Sequence, residues 1–453
     1  MTCAYRLWQA GYRLTVYEAN SAIGGRTWTI RGLFADGQIA EHGGELIDTA
    51  HKALLSLAKE LGLNTVDLIA SEENRTEETY YFNRGRYTYA QASADYNAVY
   101  QALHKDVSAA SYPTLYNLYT PRGYELDHMS IIDWIDQNVP GGSSSRFGKL
   151  LDVAYNIEYG AESDTQSALN MLYLIGYSGQ GQFRIFGPSD ERYHIVGGND
   201  QVVARIGAIL PPASIVVNSP LVALAANGDD TYTCTFEQSP KTISVTADRV
   251  VLALPFTMLR NVDSSKAGFE PLKVTAIENL PMGTNSKLHL QFNSRLWNGL
   301  GYNGSTFADT GYQNTWEVSR GQAGTSGILV DYTGGDVGAS YAGSAAHGIP
   351  SQRVVNTALK QLEPVYRVTH AYNGRAYLDY WLADTWHKGS YSYWRVGQYT
   401  TFAGKERERQ GKVHFCGEHT SVDFQGYING GVESGNRVAF DEILADYKGG
   451  IFP

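Results

Sequence analysis

The sequence predicts an α/β protein of two domains, one of them built from both ends of the chain. Three observations predict it. A length of 453 residues is about three times that of a usual domain. Near the start, residues 2–18 read as helix, turn, short apolar strand and acid. Near the end, the apolar stretch VHFC at 413–416 runs into Gly417-Glu418 and then into a glycine-rich helix opening.

Composition narrows the function. Hydrophobic residues make up 43% and charged residues 18%, an ordinary globule with a large core. A formal charge of -10 gives no nucleic-acid signal and weakly favours cationic substrates. Cys3, Cys234 and Cys416 are too few and too scattered for a disulfide framework, and no spacing marks a metal site. No apolar run reaches the ~18 residues of a membrane span, so the chain reads as soluble; its compartment is left open. The 32 tyrosines fit either half-buried packing or the lining of a ligand cavity.

Thr2 to Ala10 is amphipathic and closes at Gly11, and Leu14 to Tyr17 is a short strand ending at Glu18. This is the second half of a dinucleotide-binding βαβ unit, although alone it fits any α/β protein. The strand and G-x-G-x-x-G loop that open such a unit do not precede it, which predicts a truncated reading of a longer protein. Residues 49–63 form a helix capped at Thr49, with Leu54, Leu57, Ala58 and Leu61 on one face and His51 in a structural role. Residues 72–194 read as mixed helix and loop, with strands at 80–82 and 86–89 and a flexible loop at 141–145. A helix runs to Leu210, and strands follow at 215–217, 221–225, 232–236, 242–245 and 250–254, with a hairpin turn at 227–230. Residues 287–292 alternate like a strand, 352–362 are helical, and a final helix spans 431–444.

Several blocks stand out beyond this pattern. They are Glu18 followed by Gly24-Gly25-Arg26-Thr27, His42-Gly43-Gly44-Glu45, and Met282 to Lys287 (MGTNSK). Further on come WLADTWHKGSY from Trp381 to Tyr391, Gly417-Glu418-His419-Thr420, and Gly426-Tyr427-Ile428-Asn429. Together they resemble the flavin-containing amine oxidase family, which includes monoamine, polyamine and L-amino-acid oxidases. The likeness covers nearly the whole chain; the ends and residues 280–292 and 381–391 carry it, while 72–190 add little.

The resemblance implies a two-domain α/β flavin amine oxidase fold: a Rossmann-like FAD domain lacking its first strand, and a mixed α+β substrate domain. The FAD domain would comprise residues 1–70, 195–270 and 390–453, and the substrate domain 71–194 and 271–389. Glu18 would accept from the ribose hydroxyls, Gly24 and Gly25 would admit the pyrophosphate, and Arg26 would neutralise it. Gly43 and Gly44 would run beside the isoalloxazine, Val222 would lie at the adenine, and Gly417 and Glu418 would meet the diphosphate and ribityl chain. Gly426, Tyr427 and Ile428 would lead into the last helix, whose amino end would face the flavin pyrimidine.

Lys287 is implied as the catalytic lysine that orders a water at the flavin, though its place at the head of an apolar strand also suits a snorkelling side chain. Trp381 would stand beside the flavin, with Tyr391 and Tyr427 as paired phenols orienting the amine. Covalent members carry a cysteine just before the first of these tyrosines. Here Ser390 occupies that place, which predicts non-covalent FAD. Glu45 stands where carboxylate-clamping relatives supply an arginine, so it predicts amines without an α-carboxylate; Arg395 is the candidate that would restore a clamp.

The expected reaction is FAD-dependent oxidative deamination of a primary amine to imine and aldehyde, with O2 reduced to hydrogen peroxide. The alternatives are an L-amino-acid oxidase giving a 2-oxo acid, ammonia and hydrogen peroxide, or an inactive truncated relative that does not hold FAD. Expected partners are a small amine or amino acid and O2, without nucleic acid; a homodimer is compatible.

Overall fold

The computed structural model describes residues 1–367 and 369–447. The last six residues of the expected FAD segment lie outside them. The two ends of the chain pack together. Helix Thr2–Gln9 buries Cys3, Tyr5 and Leu7 and lies against helix Ile428–Arg437. Arg6 Nε donates to Asn436 Oδ1 at 3.0 Å, and Gly435 allows the approach: a Cβ there would meet Thr2 Cβ at 2.9 Å.

Two short parallel pairs follow from this docking. Val16–Tyr17 pairs with Ile215–Val216, and Val250–Leu252 pairs with Val413–Phe415. Residues of both pairs line one cavity. A four-stranded sheet packs beside them in the order 241–247, 232–238, 221–226 and 263–266, the last pairing parallel.

The largest sheet has eight strands. In spatial order they are His347–Gly348, Tyr372–Tyr380, Ser286–Phe292, Gly327–Thr333, Asn314–Glu317, Tyr302–Ala308, Glu77–Phe82 and Gly85–Tyr87. All neighbours are antiparallel except 302–308 with 77–82. The strand expected over 287–292 is present as Ser286–Phe292, and every residue of it is buried. It is central in the sheet and covered on both sides. Leu288, Leu290 and Phe292 join one core, and the opposite face turns Lys287, His289 and Gln291 toward polar partners or buried space.

Residues 89–175 are far more helical than their composition indicates, with helices at 89–110, 121–127, 131–138, 146–159 and 168–175. The 22-residue helix Tyr89–Ala110 begins with a capping box between Thr88 and Gln91. That box ends the preceding strand at Tyr87, short of the expected Tyr89. The helix expected from Thr49 starts at Lys52, because the Thr49 hydroxyl donates instead to Asp190 Oδ2 at 2.6 Å. The 352 helix runs on to Tyr366, past the expected Leu362, carrying Pro364 inside it. Among the described residues no helix is long and apolar enough to cross a membrane.

Candidate active site

A cavity of about 1610 Å³ runs from the chain ends to the eight-stranded sheet. Glu18, Gly24, Gly25 and Arg26 line it from the N-terminal side, and Val222 from the four-stranded sheet. Gly417, Glu418, Gly426, Tyr427 and Ile428 line it from the C-terminal side. Gly43, Gly44, Glu45, Lys287, Trp381 and Tyr391 complete the wall.

At its centre Arg26 Nη1 donates to Glu418 Oε1 at 3.0 Å and to the Ser390 carbonyl at 2.6 Å. Glu418 Oε2 also accepts from Ser392 Oγ at 2.8 Å and from the Gly426 N–H at 2.9 Å. Burial alone would raise its pKa, but Arg26, His419 and Ser392 outweigh burial and hold it below the usual value. Glu418 thus serves as the knot that ties Arg26 to the loop before the last helix. Glu18 stands at the end of its strand, accepts from the Asn20 N–H at 2.8 Å, and is pushed up by burial.

The cavity is large enough for a flavin nucleotide, and glycines and the start of a helix line it. Two glycines of the wall are packed too closely to carry a side chain. A Cβ on Gly43 would sit 2.0 Å from the Arg26 carbonyl oxygen, and one on Gly44 would sit 2.6 Å from Ile428 Cγ1. The last helix starts at Ile428, three residues before the expected Gly431. Tyr427 gives it no side-chain cap, so its first N–H groups stay available to an electronegative edge in the cavity. After Arg437 it continues as a π-helix to Ile443.

Lys287 is buried and fully engaged. Its Nζ donates to the carbonyls of Glu41 and Gly43 at 3.0 and 2.9 Å and to Glu45 Oε2 at 2.9 Å. Three acceptors use all three protons of an ammonium, so a water can join only where one contact gives way. Glu45 Oε1 accepts from Trp316 Nε1 at 2.9 Å. Burial would raise the Glu45 pKa, but Lys287 outweighs it and keeps the carboxylate ionised. Glu45 thus lines the cavity with its charge answered by Lys287, and not as the bare carboxylate its expected role required.

Arg395 is also corrected. It is exposed, its Nε lies 3.3 Å from the Tyr393 hydroxyl, and it does not line the cavity, because Tyr393 and Trp394 take the buried side of that loop.

Trp381 donates from Nε1 to the His42 carbonyl at 3.0 Å. The Tyr391 hydroxyl meets the Tyr332 hydroxyl at 2.8 Å and donates to the Ile157 carbonyl at 3.2 Å. The Tyr427 hydroxyl donates to Glu158 Oε1 at 2.9 Å. Ser390 Oγ donates to Asn285 Oδ1 at 2.6 Å.

Sequence reasoning missed two groups. One is the acidic wall of Glu158, Glu191 and Glu78, three glutamates far apart in sequence. The other is a histidine–aspartate chain behind Trp381. His42 Nδ1 and His347 Nδ1 both meet Asp379 Oδ1, at 2.6 and 2.7 Å, and His347 Nε2 meets Asp384 Oδ2 at 3.0 Å. His42, His347 and Asp379 place ligand-type atoms within 4.8 Å of one another, a grouping that no motif spacing announced. The 2.6–2.7 Å separations are those of short charge-assisted hydrogen bonds.

The family model described as flavin containing amine oxidoreductase matches residues 1–441. "Putative L-amino-acid oxidase YobN" of Bacillus subtilis (strain 168) is 26% identical, over 97% of this chain and 92% of that protein. Amine oxidase [flavin-containing] A of Sus scrofa is 25% identical, over 98% of this chain and 82% of that protein. Among solved structures, cyclohexylamine oxidase from Brevibacterium oxydans IH-35A superposes with a TM-score of 0.84 at 21% identity, covering 98% of this chain and 96% of that one. Wild-type putrescine oxidase bound to putrescine gives 0.82 at 21% identity with the same coverage. The last two likenesses establish the fold, and the family match spans nearly all of the described residues. The chain therefore belongs to the flavin-containing amine oxidoreductases and is an oxidoreductase that uses a flavin.

Proposed function

We propose that this protein holds FAD non-covalently and oxidatively deaminates a primary amine, reducing O2 to hydrogen peroxide. The observation that carries the reading is the single cavity shared by Arg26 and Glu418 at one end and Lys287, Trp381, Tyr391 and Tyr427 at the other. Residues 1–70, 195–270 and 390–453 would form the FAD domain and the remainder the substrate domain.

Glu18, Gly24 and Gly25, with Val222, hold the adenosine and diphosphate end. Arg26, fixed by Glu418, supplies the positive charge beside the diphosphate. Gly43, Gly44, Gly417, Gly426 and Ile428 give the backbone surface against which the ring lies. Ser390 cannot form a thioether, and its hydroxyl is already committed to Asn285. When bound, a flavin supplies the two-electron oxidation of the substrate C–N bond and the transfer of those electrons to O2.

Tyr391 and Tyr427 orient the amine nitrogen. Their hydroxyls are tied to Tyr332, Ile157 and Glu158, so the rings are held in place before substrate arrives. Lys287 fixes the 41–45 segment at the cavity wall through its three hydrogen bonds, and its positive charge favours reduction of oxygen nearby.

L-Amino-acid oxidation is the second reading, favoured by the Bacillus subtilis relative and by Arg184, a cavity-lining arginine with no carboxylate partner among the described residues. Arg320, also in the wall, is already bound to Glu72 at 2.7 Å. Peroxide release from tyramine and from tyrosine separates the two. Tyramine is expected to be the better substrate, and a clear preference for tyrosine would replace the first reading by the second.

A further inference from the structure

Arg26 is the cation that the glycine block offers to an anion, but Glu418 answers much of its charge at 3.0 Å. A second group stands at the same place. His387 lines the cavity, and its Nε2 lies 3.4 Å from where a Cβ on Gly25 would be, so the ring edge touches the bare glycine. The other ring nitrogen is committed: Nδ1 meets Asp384 Oδ1 at 2.6 Å. Asp384 is held in turn. Its Oδ1 accepts from the Trp386 N–H at 2.8 Å, and its Oδ2 meets His347 Nε2 at 3.0 Å. Trp381 packs edge-on against the His387 ring at 5.2 Å, and the Thr257 hydroxyl donates to the His387 carbonyl at 2.7 Å. Ring and backbone are both fixed, yet Nε2 has no hydrogen-bond partner among the described residues, and the side chain keeps 10% of its surface open. A carboxylate on one nitrogen sets the orientation of an imidazole and the role left to the other nitrogen.

The charged groups that face this ring are Asp384 on its own loop, Arg26 from the glycine block, and His347 from strand His347–Gly348. Helix Phe256–Leu259, which meets it through Thr257, carries no charge. Burial, with Arg26 and His347, outweighs Asp384 and holds the imidazole below its ordinary pKa. At neutral pH it therefore rests uncharged, with its proton on Nδ1 facing Asp384 and a bare lone pair on Nε2. In that form Nε2 can only accept. A phosphate oxygen beside it offers nothing to accept and a negative charge to answer. An anion at Gly25 thus favours a second proton on the ring, which turns Nε2 into a donor and adds positive charge where Arg26 is already shared.

We propose that His387 is a further binding residue for the flavin diphosphate, and that its Nε2 takes up a proton as the cofactor enters and donates it to a phosphate oxygen in a hydrogen bond. The proposal rests on the FAD reading above and adds a pH-dependent grip to it. The sign follows from linkage. A group that binds its proton more tightly in the loaded protein strengthens loading at low pH, and that gain is lost as pH rises through the loaded-state pKa. Each unit by which that pKa exceeds the free one strengthens binding about tenfold. A glutamine at 387 cannot supply the charge, and a lysine carries it throughout.

The test reads flavin retention and not turnover. Flavin-loaded wild type, His387→Gln and His387→Lys are diluted at a series of pH values from about 6 to about 9. Released FAD is followed by its fluorescence. The Kd of the wild type is expected to rise at least about tenfold across that range. His387→Gln is expected to bind about tenfold more weakly at the acid end and to show a flatter profile. His387→Lys is expected to stay tight with a flatter profile. In weak buffer with a pH indicator, wild type near neutral pH is expected to release up to about one proton with each FAD, and both variants none. Parallel pH profiles for wild type and His387→Gln would overturn the proposal while leaving FAD binding standing. So would FAD release from the wild type without a proton. A colourless wild type that takes up no added FAD would overturn the flavin reading and the proposal with it. Should His387→Gln not fold, the wild-type proton count and the His387→Lys profile decide.

Discussion

Arg26 Nη1 lies 3.0 Å from Glu418 Oε1, an ion pair between residues 392 positions apart in the chain. The Glu418 side chain is 8% exposed and that of Arg26 is 21% exposed, so the pair sits where solvent screens it weakly. It is the physical join between the N-terminal glycine block and the C-terminal one.

That join predicts a coupled loss. Glu418→Ala removes the acceptor for Arg26, Ser392 and the Gly426 N–H together. It is expected to destabilise the protein by about 3–5 kcal/mol, the usual cost of breaking a buried pair. The same change is expected to lower flavin content, read as the ratio of the visible flavin band to protein absorbance. Full flavin content at unchanged Tm would show that the pair is incidental.

Lys287 and Glu45 call for a paired experiment. Lys287→Met strands the Glu45 carboxylate in a buried wall and is expected to cost about 3–5 kcal/mol. Lys287→Met with Glu45→Gln removes both charges and is expected to recover most of that stability. Reoxidation of reduced flavin by O2 is expected to stay about 100-fold slower in the double variant, because the positive charge is gone. Recovery of stability and reoxidation together would make Lys287 a structural residue alone.

The phenols should behave differently from core tyrosines. Tyr391→Ala and Tyr427→Ala are each expected to lower kcat about tenfold or more with an intact visible flavin spectrum, consistent with loss of a positioning group. Folding loss matching the activity loss, judged by Tm, would return both residues to the core.

His347 carries the pH prediction. Burial alone would lower its pKa, but hydrogen bonds to Asp379 and Asp384 raise it to about 9. A raised imidazole contributes stability that is complete below its unfolded value of ~6.5 and is lost as pH climbs through the folded value. Tm of the wild type is therefore expected to fall more steeply between those two pH values than Tm of His347→Gln. Parallel slopes would show that the imidazolium pair adds no pH-dependent stability.

The legible and illegible parts of this molecule divide along physical lines. Gly24-Gly25-Arg26, Gly43-Gly44 and Gly417-Glu418 stand out as short local blocks, and at Gly43 the reason is steric: an added Cβ would lie 2.0 Å from the Arg26 carbonyl oxygen. The helix Tyr89–Ala110 was not readable, since tyrosines and alanines blur its apolar stripe and only the Thr88–Gln91 box marks its start. The pairing of Glu45 with Lys287, 242 residues away, was not legible, because spacing carries no trace of such a pair. Glu158 looks like an ordinary surface acid until the fold half-buries it against the Tyr427 hydroxyl. The strand headed by Lys287 was legible from Leu288, Leu290 and Phe292, and its central place in the sheet buries His289 and Gln291 as well.

The most direct test of the central claim is the visible absorbance of the purified chain, before and after anaerobic addition of amine. One flavin per chain, released intact by denaturation and bleached by a primary amine, is the predicted result. A colourless protein, or a bound flavin that no amine bleaches, would contradict the account.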